Sequence, residues 1–335
     1  MRQLLRLAVS LALAVALLAL LMAWGEVHVR DVARALARLD ATTFALAFVL
    51  QAAVYPLRAA RIRALLGSDA PAFRHVLPVT AAHILAANVL PAKLGEASVV
   101  VYLKRIAAVP AAQGLAVLLL SRLLDLATVA GALAVACLTL SWTGAFPELE
   151  WLGSTGGLLL LPAVGLAWAS RHGDRLVRLA TAFSRFARLD RTRLGHRVVS
   201  KADEVAHALG AFTRPALALS AVISLAILLT SFVFYSLLAR QLGLEGVRFD
   251  EVVFGSGLAL LANLLPINGF AGLGTQETGW VIAFGALGVP RDLAFESGLA
   301  CHLVYLFNLA IFGLLGHLGM GLVPRRSPDS ARGTL

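Results

Sequence analysis

Long apolar runs alternate with short charged stretches along this chain, and two of those runs break in the middle at the same phrase. Unbroken runs at 4–24, 41–60, 111–140, 155–170, 215–239 and 293–319 each predict a membrane-spanning helix. The stretches 75–106 and 251–288 are interrupted by proline and glycine. Their arms are about 11–16 residues, or roughly 16–24 Å at helical rise, too short to cross a core of about 30 Å comfortably. They read as re-entrant helical hairpins, since broken backbone at membrane depth persists only where protein buries it or where it lines a wet cavity. The predicted fold class is therefore all-α: a polytopic helical membrane protein with about six full spans and two re-entrant helical hairpins.

The phrase itself is a repeat. Ala87-Asn88-Val89-Leu90-Pro91 leads to Gly95-Glu96 and then Val109-Pro110, while Ala262-Asn263-Leu264-Leu265-Pro266 leads to Gly274, Glu277 and Val289-Pro290. The offset is 175 at the Asn and first Pro, then 180 or 181 at the second Pro and the Glu. Such self-similarity predicts a duplicated domain, with a first repeat of about 4–140 and a second of about 155–320. Each half holds two spans, a hairpin and a third span; an odd number of crossings inverts the second half relative to the first. Inverted repeats with discontinuous helices are a plan of transporters that open one central site to each side in turn.

Composition supports a membrane protein: 59% of the chain is hydrophobic, 14% is charged, and the mean hydropathy is +0.82. Residues 1–323 read as one membrane domain, and 324–335 as a polar, disordered tail. The apolar stretch from Leu7 to Trp24 is longer than a signal-peptide core of about 7–15 residues, so it reads as a retained span. The net charge of +10 lies between apolar runs rather than on a separate domain. This points to anionic lipid headgroups and away from nucleic acid. With the N-terminus in the cytoplasm, Arg58, Arg61, Arg63, Arg74, Lys104, Arg105 and the ten Lys/Arg of 171–214 fall inside. The 143–154 loop, with Glu148 and Glu150, falls outside, as the positive-inside rule requires. Both termini are expected in the cytoplasm of a cell inner membrane. The first outer loop fits least well, because Arg30, Arg34 and Arg38 lie there with Asp31 and Asp40. Within 171–214, Leu176, Leu179, Phe183 and Phe186 recur at helical spacing among arginines, which predicts a basic amphipathic helix in the headgroup layer.

Several ionisable residues lie where charge is costly. Glu96 and Glu277 each open the second arm of a hairpin. A helix dipole favours a carboxylate there by only a few tenths to about 1 kcal/mol. Membrane insertion of an acid costs about 2.5–3.5 kcal/mol, which favours a protonatable or headgroup-binding role. Asn88 and Asn263 precede the breaking prolines and either cap freed backbone groups or contact substrate. Gly272 and Gly274 in the second break allow close backbone approach and offer amides to an anion, and Lys93 in the first break is a candidate phosphate contact. Arg122 and Asp125 share a helix face about 17 Å into their span, either as a structural ion pair or as part of a translocation site. In the second half His302 and Tyr305 stand at their positions, and a histidine there is either a packing group or a proton carrier. Arg58, Arg61 and Arg63 read as a cytoplasmic collar or as a headgroup entrance. Both cysteines lie in apolar segments, and neither a metal cluster, a cofactor motif nor a catalytic constellation is present in the sequence.

The segments Asn88-Val89-Leu90-Pro91-Ala92-Lys93-Leu94-Gly95-Glu96, Ser121-Arg122-Leu123-Leu124-Asp125 and Gly272-Leu273-Gly274-Thr275-Gln276-Glu277 resemble the lysylphosphatidylglycerol synthase transmembrane (flippase-like) family. The likeness covers most of residues 1–320. It implies translocation of a polar-headgroup lipid between leaflets: an anionic or aminoacylated phospholipid, or a polyprenyl- or hopanoid-type lipid. The chain departs from the family at Val99 and Val100, where a basic residue is frequent, and at His302, where arginine is frequent. No soluble aminoacyl-transferring domain accompanies these segments, so no enzyme activity is expected. The expected function is a lipid flippase or scramblase. Its rivals are an ion-coupled transporter of a small anion and a non-transporting partner of a lipid-modifying enzyme, either of which could self-associate.

Overall fold

The computed structural model describes residues 28–90, 95–142, 204–205, 207–264, 270–324 and 326. Among them all regular structure is helical: α1 (Val29–Ala37), α2 (Ala41–Leu66), α3 (Phe73–Val89), α4 (Ser98–Ala107), α5 (Ala111–Trp142), α6 (Arg214–Gln241), α7 (Phe249–Leu264), α8 (Thr275–Ala286) and α9 (Arg291–Leu322). Helices α2, α5, α6 and α9 are long and apolar enough to cross a membrane. The chain is a polytopic helical membrane protein. The expected spans 4–24 and 155–170, most of the 171–214 segment and of the tail, and both proline breaks (91–94 and 265–269) lie outside the described residues.

The broken stretches fold as expected into pairs of short helices. At 1.5 Å per residue the arms α3, α4, α7 and α8 measure about 25, 15, 24 and 18 Å, each short of a hydrocarbon core. In the first pair His83 Nδ1 lies 2.9 Å from Ser98 Oγ, and Gly95 sits against the Ala86 carbonyl, so the arms run antiparallel. In the second, Gly255 faces Phe284 and Gly279 faces Ala259, again antiparallel.

Local signals start and stop these helices. Asp40 caps α2 by accepting the Thr43 amide at 2.7 Å, and Gly67, at φ 71°, ends it. Thr213 caps α6 ahead of Pro215. Helix α2 continues to Leu66 instead of ending near 60, because no breaker intervenes before Gly67 and its late arginines turn inward. Helix α1 occupies what reads in sequence as a loop. Val32 and Ala35, three apart, bury one face of it in the core, while Arg34 pairs with Asp31 on the other.

Contacts between helices fix their directions. Asp40 meets Gln241 and Arg61 meets Ser224, so α6 runs antiparallel to α2. Gly313, Gly316 and Gly319 of α9 rest on Leu85, Ala82 and Pro78, so α9 runs antiparallel to α3. Two apolar cores lie towards opposite ends of the bundle. One gathers Ala47, Phe234, Trp280 and Phe295; the other gathers Ile62, Leu65, Val79 and Leu103. Leu46, Val49, Leu138, Val222, Leu229, Leu314 and Leu318 stay exposed along the long helices, as a lipid-facing surface requires.

Gly95 permits the first hairpin to close. A Cβ there would lie 1.9 Å from the Ala86 carbonyl oxygen, which is backbone and has no rotamer to yield. Gly95→Ala is expected to lower stability by about 1–3 kcal/mol, the usual range for overpacking. Gly131→Ala, on a helix with open space beside it, should be neutral or mildly stabilising. Thermal unfolding of both variants in detergent checks the contrast; equal melting of Gly95→Ala and the parent would refute the close approach.

Candidate functional site

A polar cluster occupies the region between the two apolar cores. Asp125 of α5 is its centre. Arg61 Nη1 donates to Asp125 Oδ1 at 2.5 Å and to Ser224 Oγ at 2.8 Å, while Arg61 Nη2 reaches Oδ2 at 3.4 Å. Arg122, one turn before Asp125, donates Nη1 to Oδ2 at 3.3 Å. It also holds Glu96 Oε2 through Nε at 2.9 Å and Nη2 at 2.5 Å. Arg58 approaches Asp125 Oδ2 only to 3.7 Å, and its buried Nε has no hydrogen-bond partner among the described residues. The cluster thus contains three guanidinium groups and two carboxylates, leaving one cation in excess among the described residues.

Exposure separates these groups. The Arg61 side chain is 4% exposed and is held by both its Nη atoms, whereas Arg58 and Arg122 are 27% and 32% exposed. The last two line a cavity of about 140 Å³ together with Glu96, Asp125, Asn88, Asn263 and Tyr305. Ser224, Thr128 and Ser231 add hydroxyls to its wall, and Leu228 and Leu260 add apolar surface. Arg58 lies eight residues before the end of α2, so about 12 Å from that end of the helix. Such a cavity has room for several waters or a phosphate-sized group.

A second ionisable pair is closed off. His302 Nδ1 of α9 lies 2.6 Å from Glu277 Oε1, and both side chains are fully buried. The Gly274 amide donates to Glu277 Oε2 at 2.7 Å. This pair joins the start of α8 to α9 much as Glu96 and Arg122 join the start of the second arm of the first hairpin to α5.

The sequence matches the model of the lysylphosphatidylglycerol synthase TM region over residues 4–313. The chain belongs to that family. No curated protein matches it. The matched region is the transmembrane part of the synthase and not its catalytic part.

In this member of the lysylphosphatidylglycerol synthase TM family, the structure divides the residues singled out in sequence. Glu96, Arg122, Asp125, Asn88, Asn263 and Arg58 line one cavity, which brings the ends of α3 and α7 to one place. Glu277 and His302 are not among its lining residues; they sit in dry packing beside the core of Trp280, Ala300 and Val304. The amide of Gly274 is already taken by the chain's own Glu277, so the anion it binds here is internal. Gly272, at φ 77°, packs near Asn263 and away from the cavity. Asn88 donates to the Ile84 carbonyl at 2.9 Å, and Asn263 reaches Gln276 Oε1 at 3.3 Å, both of which are backbone- or wall-fixing contacts. Arg58 and Arg61, read in sequence as a cytoplasmic collar or a headgroup entrance, face a carboxylate on α5 inside the bundle. Arg63 instead donates to the Pro71 carbonyl at 3.0 Å. Lys93 lies outside the described residues.

The hydroxyls of Ser224, Thr128 and Ser231 were not legible as site residues. Serine and threonine in apolar helices commonly donate back to their own helix, as Ser224 does to Ser220 and Thr128 to Leu124. Tyr305 carried a signal, since the repeat places it at the position of Asp125.

Proposed function

We propose that this chain moves a lipid with an anionic headgroup between the leaflets of an inner membrane, as a flippase or scramblase without enzymatic activity. In this reading the two halves are an inverted repeat, the paired short helices are re-entrant hairpins, and both termini are cytoplasmic. The observation that carries it is the excess cation: Arg58 lines the cavity between the helices with no full partner of its own. A charge left so in a membrane interior is costly unless it serves an anion that comes and goes. A phosphodiester headgroup supplies that anion while its acyl chains remain in the lipid. Membership of a lipid-related membrane family agrees with this substrate class. The opposed directions of α2 and α6 suit alternate opening of one site to the two sides.

The test is reconstitution into vesicles bearing a headgroup-labelled phosphatidylglycerol, with the outer-leaflet label destroyed chemically after incubation. Protein-containing vesicles should lose label well beyond the half that protein-free vesicles lose. The same excess cation would also serve a transporter of a soluble anion. Accumulation of inorganic phosphate in sealed vesicles, with labelled lipid static, would replace the lipid reading by that one.

A further inference from the structure

We infer that the buried Glu277–His302 pair is a proton-binding site that couples lipid movement to a proton gradient. The inference rests on the lipid-transport reading above.

The pair stands where the first half has Glu96 and Arg122. In each half a carboxylate at the start of the second hairpin arm meets a base on the following long helix. The first base is a guanidinium, whose charge is permanent in proteins, whereas the second is an imidazole, the side chain suited to change charge under physiological conditions. The first pair is partly open to the cavity, and the second is sealed.

Sealing fixes the proton count. The 2.6 Å contact holds one hydrogen between His302 Nδ1 and Glu277 Oε1. With that hydrogen alone the pair carries one net negative charge. The ionisable groups gathered around it are Tyr235 of α6 and Tyr305 and Cys301 of α9, types that are ordinarily uncharged at neutral pH. From α7 comes the neutral amide of Asn263, through Gln276, which also binds Tyr235. The Gly274 amide and the start of α8 offset part of a negative charge, none of these neighbouring side chains offsets the rest, and a buried charge so incompletely compensated is disfavoured. One further proton makes the pair neutral. His302 Nε2 is the ring nitrogen left to take it, since Nδ1 is engaged with Glu277. The closed arrangement therefore favours the neutral, fully protonated pair, and opening to water favours release of the proton.

The step is a simple transfer. When the pair is exposed to one side, a proton passes from water to Nε2, and the site closes. When it is exposed to the other side, Nε2 returns the proton to water. Lipid and proton share the same opening and closing of the two halves, so a gradient of one biases the other.

The experiment uses the full chain in vesicles with labelled phosphatidylglycerol, a trapped pH-sensitive dye, and pH gradients imposed in either direction, corrected against protein-free vesicles. The two gradients should drive initial lipid movement into a given leaflet at rates differing at least tenfold, with the dye reporting proton entry or exit in step. His302→Arg, which copies the first half, should bring that ratio to one, and Glu277→Gln should do the same. Lipid movement by the parent protein that ignores the gradient, or proceeds without a dye signal, overturns the coupling while leaving the transport reading intact. So does a gradient response that survives in either variant. Lipid that moves under no condition overturns the transport reading itself, and the coupling with it.

Discussion

Asp125→Ala is expected to destabilise the protein by about 3–5 kcal/mol, the range for removing one partner of a buried ion pair. Asp125 is the shared acceptor of Arg61 and Arg122 and the nearest anion to Arg58. Its loss leaves Glu96 as the only carboxylate in a cluster of three guanidinium groups among the described residues, and the Arg61 side chain, 4% exposed, has little water to turn to. The measurement is thermal unfolding in detergent. A second change decides whether charge, rather than packing, is the cause. Combining Asp125→Leu with Arg61→Met removes the most buried cation along with its acceptor and should restore much of the loss. If the double variant is no more stable than Asp125→Ala, the cluster does not hold the bundle electrostatically.

Arg58→Ala should slow lipid movement at least tenfold while leaving the melting temperature near that of the parent. A tenfold loss corresponds to about 1.4 kcal/mol of lost binding to the headgroup, modest for a charge-assisted hydrogen bond. Stability should change little because Arg58 has only the 3.7 Å approach to Asp125 and keeps 27% of its side chain exposed. Removing it also takes the cluster from one excess cation to balance. Arg58→Lys retains the charge without the fork of donors and should recover part of the rate. Undiminished transport in Arg58→Ala would remove Arg58 from the headgroup site.

The two halves differ in a way that bears on both effects. Glu96 and Arg122 reach the cavity, so their pairing can be exchanged for water or for a headgroup. Glu277 and His302 are enclosed, and their pairing cannot be exchanged without a change in packing. On the transport reading proposed above, this asymmetry is that of one end of a cycle, with one pair open and the other shut.

Much of the fold was legible because a bilayer constrains sequence so strongly. The lengths of apolar runs announced α2, α5, α6 and α9, and the proline and glycine breaks announced α3–α4 and α7–α8. The three-residue spacing of Arg122 and Asp125 announced their contact. The partners of Asp125 across the bundle were not legible. Arg61 lies 64 residues away, and at the end of an apolar run an arginine that snorkels to the headgroups reads the same as one that turns inward.

The sequence by itself determined the membrane class and the paired short helices. Insertion penalties and helix geometry act on each segment separately, and a single chain records them. Only the tertiary structure decided that Arg58 and Arg61 converge on Asp125, that one cation is left over, and that Glu277 with His302 is sealed while Glu96 with Arg122 is not. Those outcomes depend on distances and water access between helices far apart in sequence, which no single segment records.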